Sequence, residues 1–204
     1  MMKLQSTVLL SAVCVFLAQA STAADGSADE GESKATPCVA CHGVGGNSAN
    51  PVWPNLAGQH AQYTRKQLEA FKSGARQDPL MSPMAASLTE DDMADLAAYY
   101  AEQTATGLEA DPEKLSQGQR LYRGGDGSKG VAACTACHGP SGDGNPTALY
   151  PAIGGQQAAY VAKQLRAYRE GARQTDPNQM MRNVAHAMSD EQIDAVAAYV
   201  QGLR

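Results

Sequence analysis

Two short stretches carry residues that could do chemistry: Cys38-Val39-Ala40-Cys41-His42 and Cys134-Thr135-Ala136-Cys137-His138, each followed by a glycine. Three chemistries use a CxxC pair. A redox dithiol belongs beside a βαβ pattern, which this sequence lacks, and it gives the histidine no task. A zinc centre needs four ligands, and adjacent Cys41 and His42 are poorly placed to close one tetrahedron together. Covalent attachment of c-type haem uses every residue of the motif. Residues three apart lie on one side of a helical turn, where two thiols can form thioethers with two vinyl groups. The histidine that follows then presents its imidazole to the iron. On this reading Cys38, Cys41, Cys134 and Cys137 hold two covalently bound haem c groups, and His42 and His138 are the proximal iron ligands.

The fifth cysteine, Cys14, sits in a different kind of segment. Lys3, the apolar run VLLSAVCVFLAQA and the small residues STAAD have the layout of a cleaved signal peptide, expected over residues 1–23. Export to the periplasm follows from it. Once Cys14 leaves with the signal, all remaining cysteines lie in the two motifs, and none is left for a disulfide framework.

The chain is written twice. The motifs repeat at an offset of 96, WPNLAGQ matches YPAIGGQ and YTRKQLEAF matches YVAKQLRAY at 97, and LAAYYAEQ matches VAAYVQGL at 100. Two tandem domains are expected, residues 24–108 and 109–204, joined in EQTATGLEADPEK. The repeat also selects the second iron ligand, because a ligand needed twice must occur twice. His60 pairs with Gln157 and His186 with Ala86, so both read as ordinary surface histidines. Met81 pairs with Met181, each in what reads as a loop before the last helix. These two are the expected axial ligands, with Met84 and Met180 as the next candidates. Met93 and Met188 pair with Ile193 and Leu88 and read as core. A Pro54 or Pro151 carbonyl is placed to accept the histidine Nδ1–H.

Positioning these groups falls to helices. TEDDMADLAAYYAEQ opens on Thr89 and places Met93, Leu96, Ala97 and Tyr100 on one face. SDEQIDAVAAYVQGL opens on the capping pair Ser189 and Gln192 and repeats that face with Ile193, Val196, Ala197 and Val200. The YTRKQLEAF and YVAKQLRAY segments and residues 112–123 are helical as well, and no alternating segment is long enough for a strand. The expected class is all-α. The acidic, small-residue stretch ADGSADEGESKA reads as mobile at its start.

The net charge of −5 disfavours a nucleic-acid partner, and no second apolar run can span a bilayer, so the exported chain is expected to be soluble while free to associate with a membrane complex. Charge is also uneven. Residues 24–108 hold eleven acids and five bases, whereas residues 109–204 hold ten of each.

With CxxCHG twice, PNLAGQ and PAIGGQ, KQL twice, MRNVA and the AAYVQGL ending, the chain resembles the dihaem cytochrome c4 family, two class I cytochrome c domains in tandem. The resemblance implies that each haem is held by two thioethers and a His/Met pair, at Cys38, Cys41, His42 and Met81 and at Cys134, Cys137, His138 and Met181. It implies an electron-transfer protein rather than an enzyme, carrying electrons from a quinol-oxidising cytochrome bc complex to a terminal oxidase. Two alternatives stand beside it: the electron-accepting subunit of a periplasmic dehydrogenase such as a flavoprotein, and a dihaem peroxidase. The peroxidase needs an open iron position, which a matched methionine pair argues against.

Overall fold

The computed structural model describes residues 26–204; the expected signal peptide, with Cys14, lies outside the described residues. The first half contains α1 (Ala28–Lys34), α2 (Thr36–His42), α3 (Ala61–Ser73), α4 (Met81–Ala86) and α5 (Glu90–Glu102). The second contains α6 (Pro112–Gly124), α7 (Thr135–His138), α8 (Ala158–Arg169), α9 (Met180–His186) and α10 (Asp190–Gln201). Among the described residues there is no strand, only the isolated bridges Asp126–Val131 and Asn145–Tyr150. None of their helices is long and apolar enough to cross a membrane.

Both halves rest on the same packing. The last helix of each, α5 or α10, carries the expected buried stripe, and the first helix crosses it. Thr89 and Asp92 form a reciprocal capping box at the start of α5, as Ser189 and Gln192 do at the start of α10. Each crossing requires glycine on the first helix. A Cβ on Gly31 would lie 2.1 Å from the Asp95 carbonyl oxygen, and one on Gly118 would lie 2.1 Å from that of Ala195.

The acidic N-terminal stretch enters this crossing; its first two residues, where mobility is expected, lie outside the described residues. It is ordered as α1, capped by Ser27, whose side chain accepts from Glu30 N–H. Lys34 pairs with Asp92 and Asp95 of α5, and Ser27 N–H donates to Asp95 Oδ1 at 2.7 Å. The glycine that weakens an isolated helix is what lets this one dock.

The halves meet through reciprocal contacts. The Gln59 side-chain amide bonds both backbone groups of Ala152, donating to its oxygen at 2.8 Å and accepting from its N–H at 3.0 Å. Gln156 does the same to Asn55, at 2.9 and 2.8 Å. Asn55 and Gln59 correspond to Ala152 and Gln156 at the repeat offset of 97, so the two halves clasp each other about an approximate two-fold axis. Beyond the clasp lie two buried guanidiniums. Arg76 donates to Gln67, Tyr160 and Gln164, and Arg173 to Gln164, Tyr63 and Gln67, all at 2.8–2.9 Å. They stack on Phe71 and Tyr168, with 4.5 and 4.7 Å from guanidinium carbon to ring centre. Their side-chain partners are all neutral: amide and phenol oxygens and, for Arg173, the Thr175 hydroxyl.

Candidate haem sites

The short helix α2 starts with Pro37 in its first turn, where a missing N–H is harmless, and ends on His42. Gly43 then takes φ 76°, and a Cβ there would come 1.9 Å from the Asn47 carbonyl oxygen. The chain turns sharply and leaves the His42 ring facing inward, 6% exposed. Its Nδ1 lies 2.9 Å from the Pro54 carbonyl oxygen; His138 Nδ1 lies 3.0 Å from that of Pro151. A carbonyl can only accept, so Nδ1 carries the proton in both rings and Nε2 keeps a lone pair for a metal. Burial pushes both imidazoles below the usual histidine pKa, against the opposing pull of those carbonyls, and favours the neutral ring that coordinates.

The thiols do not suit redox chemistry. Burial raises Cys38, and it pushes Cys134 up to about 11. A redox CxxC needs the opposite, a thiolate stabilised at neutral pH. Among the described residues no group of three or more His, Cys, Asp or Glu that could hold a metal ion comes together. The donor set fits a haem held by its own thioethers. In the second half Cys134, Cys137, His138, Met180 and Met181 line one largely apolar cavity of about 260 Å³ that reaches the domain interface at Tyr63 and Arg173.

The methionine segments are short helices rather than loops. Met81 begins α4, and Asp78 makes this possible: its Oδ1 accepts the N–H groups of Leu80 and Met81 at 3.0 and 3.1 Å. At α9, Asp176 accepts Arg182 N–H at 3.0 Å and pairs with its guanidinium at 2.8 Å. Pro83 stands in the first turn of α4, where no N–H is required. The aspartates were missed in the sequence, although a matched Asp-Pro before each methionine signals them. The register drift between halves is located here too: Asn178 and Gln179 sit just before α9 in left-handed conformation, φ 52° and 60°.

Within each methionine pair the surroundings differ. Met84 is 45% exposed, whereas Met81 is half-buried. The Met180 sulfur already takes a hydrogen bond from the Tyr150 hydroxyl at 3.7 Å. Trp53 is half-buried. His186 is exposed at the end of α9, but His60 has a task the sequence hid: its Nε2 lies 2.7 Å from the Asp143 carbonyl oxygen across the domain interface.

The Cytochrome c family model matches residues 28–103 and 116–204, one match in each half. The chain is 48% identical to a cytochrome c4 of Thiocapsa roseopersicina over 187 residues, covering 91% of this chain and 97% of that one. It is 38% identical to a thiosulfate dehydrogenase electron acceptor of Stutzerimonas stutzeri, over 94% and 92% of the two chains. The crystal structure of reduced recombinant cytochrome c4 from Pseudomonas stutzeri superposes with a TM-score of 0.85 at 43% identity, covering 88% of this chain and all of that one.

Proposed function

Because the chain belongs to the cytochrome c4 family, an electron carrier with two covalently bound haem c groups, we propose that it works in the periplasm between a quinol-oxidising cytochrome bc complex and a terminal oxidase. Cys38 and Cys41, and Cys134 and Cys137, form the thioethers. His42 with Met81 and His138 with Met181 are the axial ligand pairs. The observation that carries this reading is the duplicated imidazole fixed by a proline carbonyl, with a methionine in the first turn of a short helix held by an upstream aspartate in each half. Haem held by these residues would supply one-electron exchange. The protein's residues keep the imidazoles neutral and oriented and wall the second-half cavity with apolar side chains.

Met81→Ala and Met181→Ala test the ligand assignment one haem at a time. Each should abolish half of the weak red band of methionine-ligated ferric haem. Met84→Ala and Met180→Ala should keep it whole, and the reverse pattern would reassign the ligands. The partner is tested by stopped-flow oxidation and reduction with the isolated complexes. The first half carries a net charge of −6 and the second is neutral, so the partner's docking face is basic and the rate falls steeply with ionic strength. A salt-independent rate would remove that expectation.

A second reading is supported by the relative that accepts electrons from thiosulfate dehydrogenase: this chain serves as electron acceptor to a periplasmic dehydrogenase. Co-purification with a dehydrogenase at high salt would favour it over a free carrier.

A further inference from the structure

The two halves place a phenol beside the first cysteine of each motif, but from opposite helices. Gly31 and Gly118 mark the same point of the two helix crossings, so Ala35, four residues on, stands where Tyr122 stands in the second half. On the last helix, Tyr100 stands where the second half has Val200. The size swap fills both cores: Ala35 and Tyr100 pack with Cys38, and Tyr122 and Val200 with Cys134. The two hydroxyls end differently. Tyr122 donates to the Gly139 carbonyl oxygen at 2.6 Å. Tyr100 is 2% exposed, its hydroxyl lies beside the Cys38 sulfur, and it makes no well-formed hydrogen bond among the described residues.

A buried hydroxyl left unpaired costs about 1–3 kcal/mol, and phenylalanine would fill the same space without it. The missing acceptor is supplied by the chemistry of the site. A free Cys38 thiol carries its own proton; as a thioether its sulfur offers only lone pairs. We propose that Tyr100 is a tuning residue, whose hydroxyl donates to the Cys38 thioether sulfur and raises the reduction potential of the N-terminal haem alone. This rests on the thioether assignment of Cys38 proposed above. A donor directs the positive end of its dipole at the haem edge and so favours the state with the extra electron. The second half has no counterpart, because Val200 carries no hydroxyl and that of Tyr122 is engaged by a carbonyl.

The test is Tyr100→Phe in the full-length protein carrying both haems, verified by mass. Potentiometric titration is followed by haem-methyl NMR signals assigned to each half, alongside thermal unfolding. The expected result is a lower midpoint for the N-terminal haem, an unmoved midpoint for the C-terminal haem, and no gain in thermal stability. Tyr122→Phe should leave the N-terminal midpoint where it is. A Tyr100→Phe protein with unchanged potentials and a raised melting temperature would show a mere orphan hydroxyl, and equal shifts in both haems would show a general effect; either result overturns the proposal. Attachment is checked separately. A Cys38→Ala protein that still holds its N-terminal haem by two thioethers would sink the assignment on which the proposal rests, a failure distinct from unchanged potentials in Tyr100→Phe.

Discussion

Gly43 and Gly139 each follow a histidine ligand candidate at the same φ of 76°, but their surroundings differ. A side chain on Gly43 would strike the Asn47 backbone, whereas one on Gly139 would meet nothing within 4 Å. Both alanine variants therefore bear the strain of a backbone region open essentially to glycine alone, about 1–3 kcal/mol, and only Gly43→Ala adds a collision. We expect Gly43→Ala to melt at a clearly lower temperature than Gly139→Ala and to lose low-spin character in one haem. Equal melting temperatures would contradict the difference in packing. At this scale the sequence was informative wherever chemistry fixes a spacing. Cys38, Cys41, His42 and the Pro54 carbonyl lie within one short segment, so the motif implies their geometry. Tyr100 carried no such sign, because an unpaired hydroxyl exists only once α1 and α5 have crossed.

The docking of α1 is an element held by charge as well as by shape. Asp95 is kept below the usual carboxylate range by Lys34 and by the Ser27 N–H, and Asp92 by the Thr89 N–H and hydroxyl and by Lys34. A carboxylate depressed on folding contributes stability that is complete above its unfolded pKa and disappears as the pH falls through the folded value. Amide protection in α1 should thus hold at neutral pH and fall below about pH 4, before that of α10, as read by hydrogen exchange. Protection of α1 that outlasts α10 in acid would refute this. Composition concealed the helix, since a stretch of Gly, Ser, Ala and acids has little reason to fold alone and its partner lies some sixty residues away in the chain. The methionine helices were concealed by brevity: six and seven residues show no period, and their order comes from Asp78 and Asp176.

Across the whole molecule the halves are joined by polar contacts rather than by a shared apolar core. Replacing both Gln59 and Gln156 with alanine strips hydrogen bonds from the backbones of Ala152 and Asn55, at about 1–3 kcal/mol for each buried group left unpaired. Calorimetry should then resolve two transitions where the parent protein gives one. A single unbroken transition would show that the clasp is dispensable. The repeat announced two domains, but their arrangement was not legible, because Gln59, Arg76 and their counterparts looked like ordinary surface residues of each copy. Their reciprocity bears on how the chain can evolve. A surface that fits its own repeat has the symmetry of a homodimer, but Gln59 and Gln156 each bond main-chain groups, so the residue opposite is free to change its side chain. The helix crossings carry no such bond between copies, and there Ala35 and Tyr100 have drifted from Tyr122 and Val200. Divergence of the two halves has thus reached the seam as well, where Asn55 answers Ala152 and His60 answers Gln157, and it leaves in common the two glutamines that grip backbone.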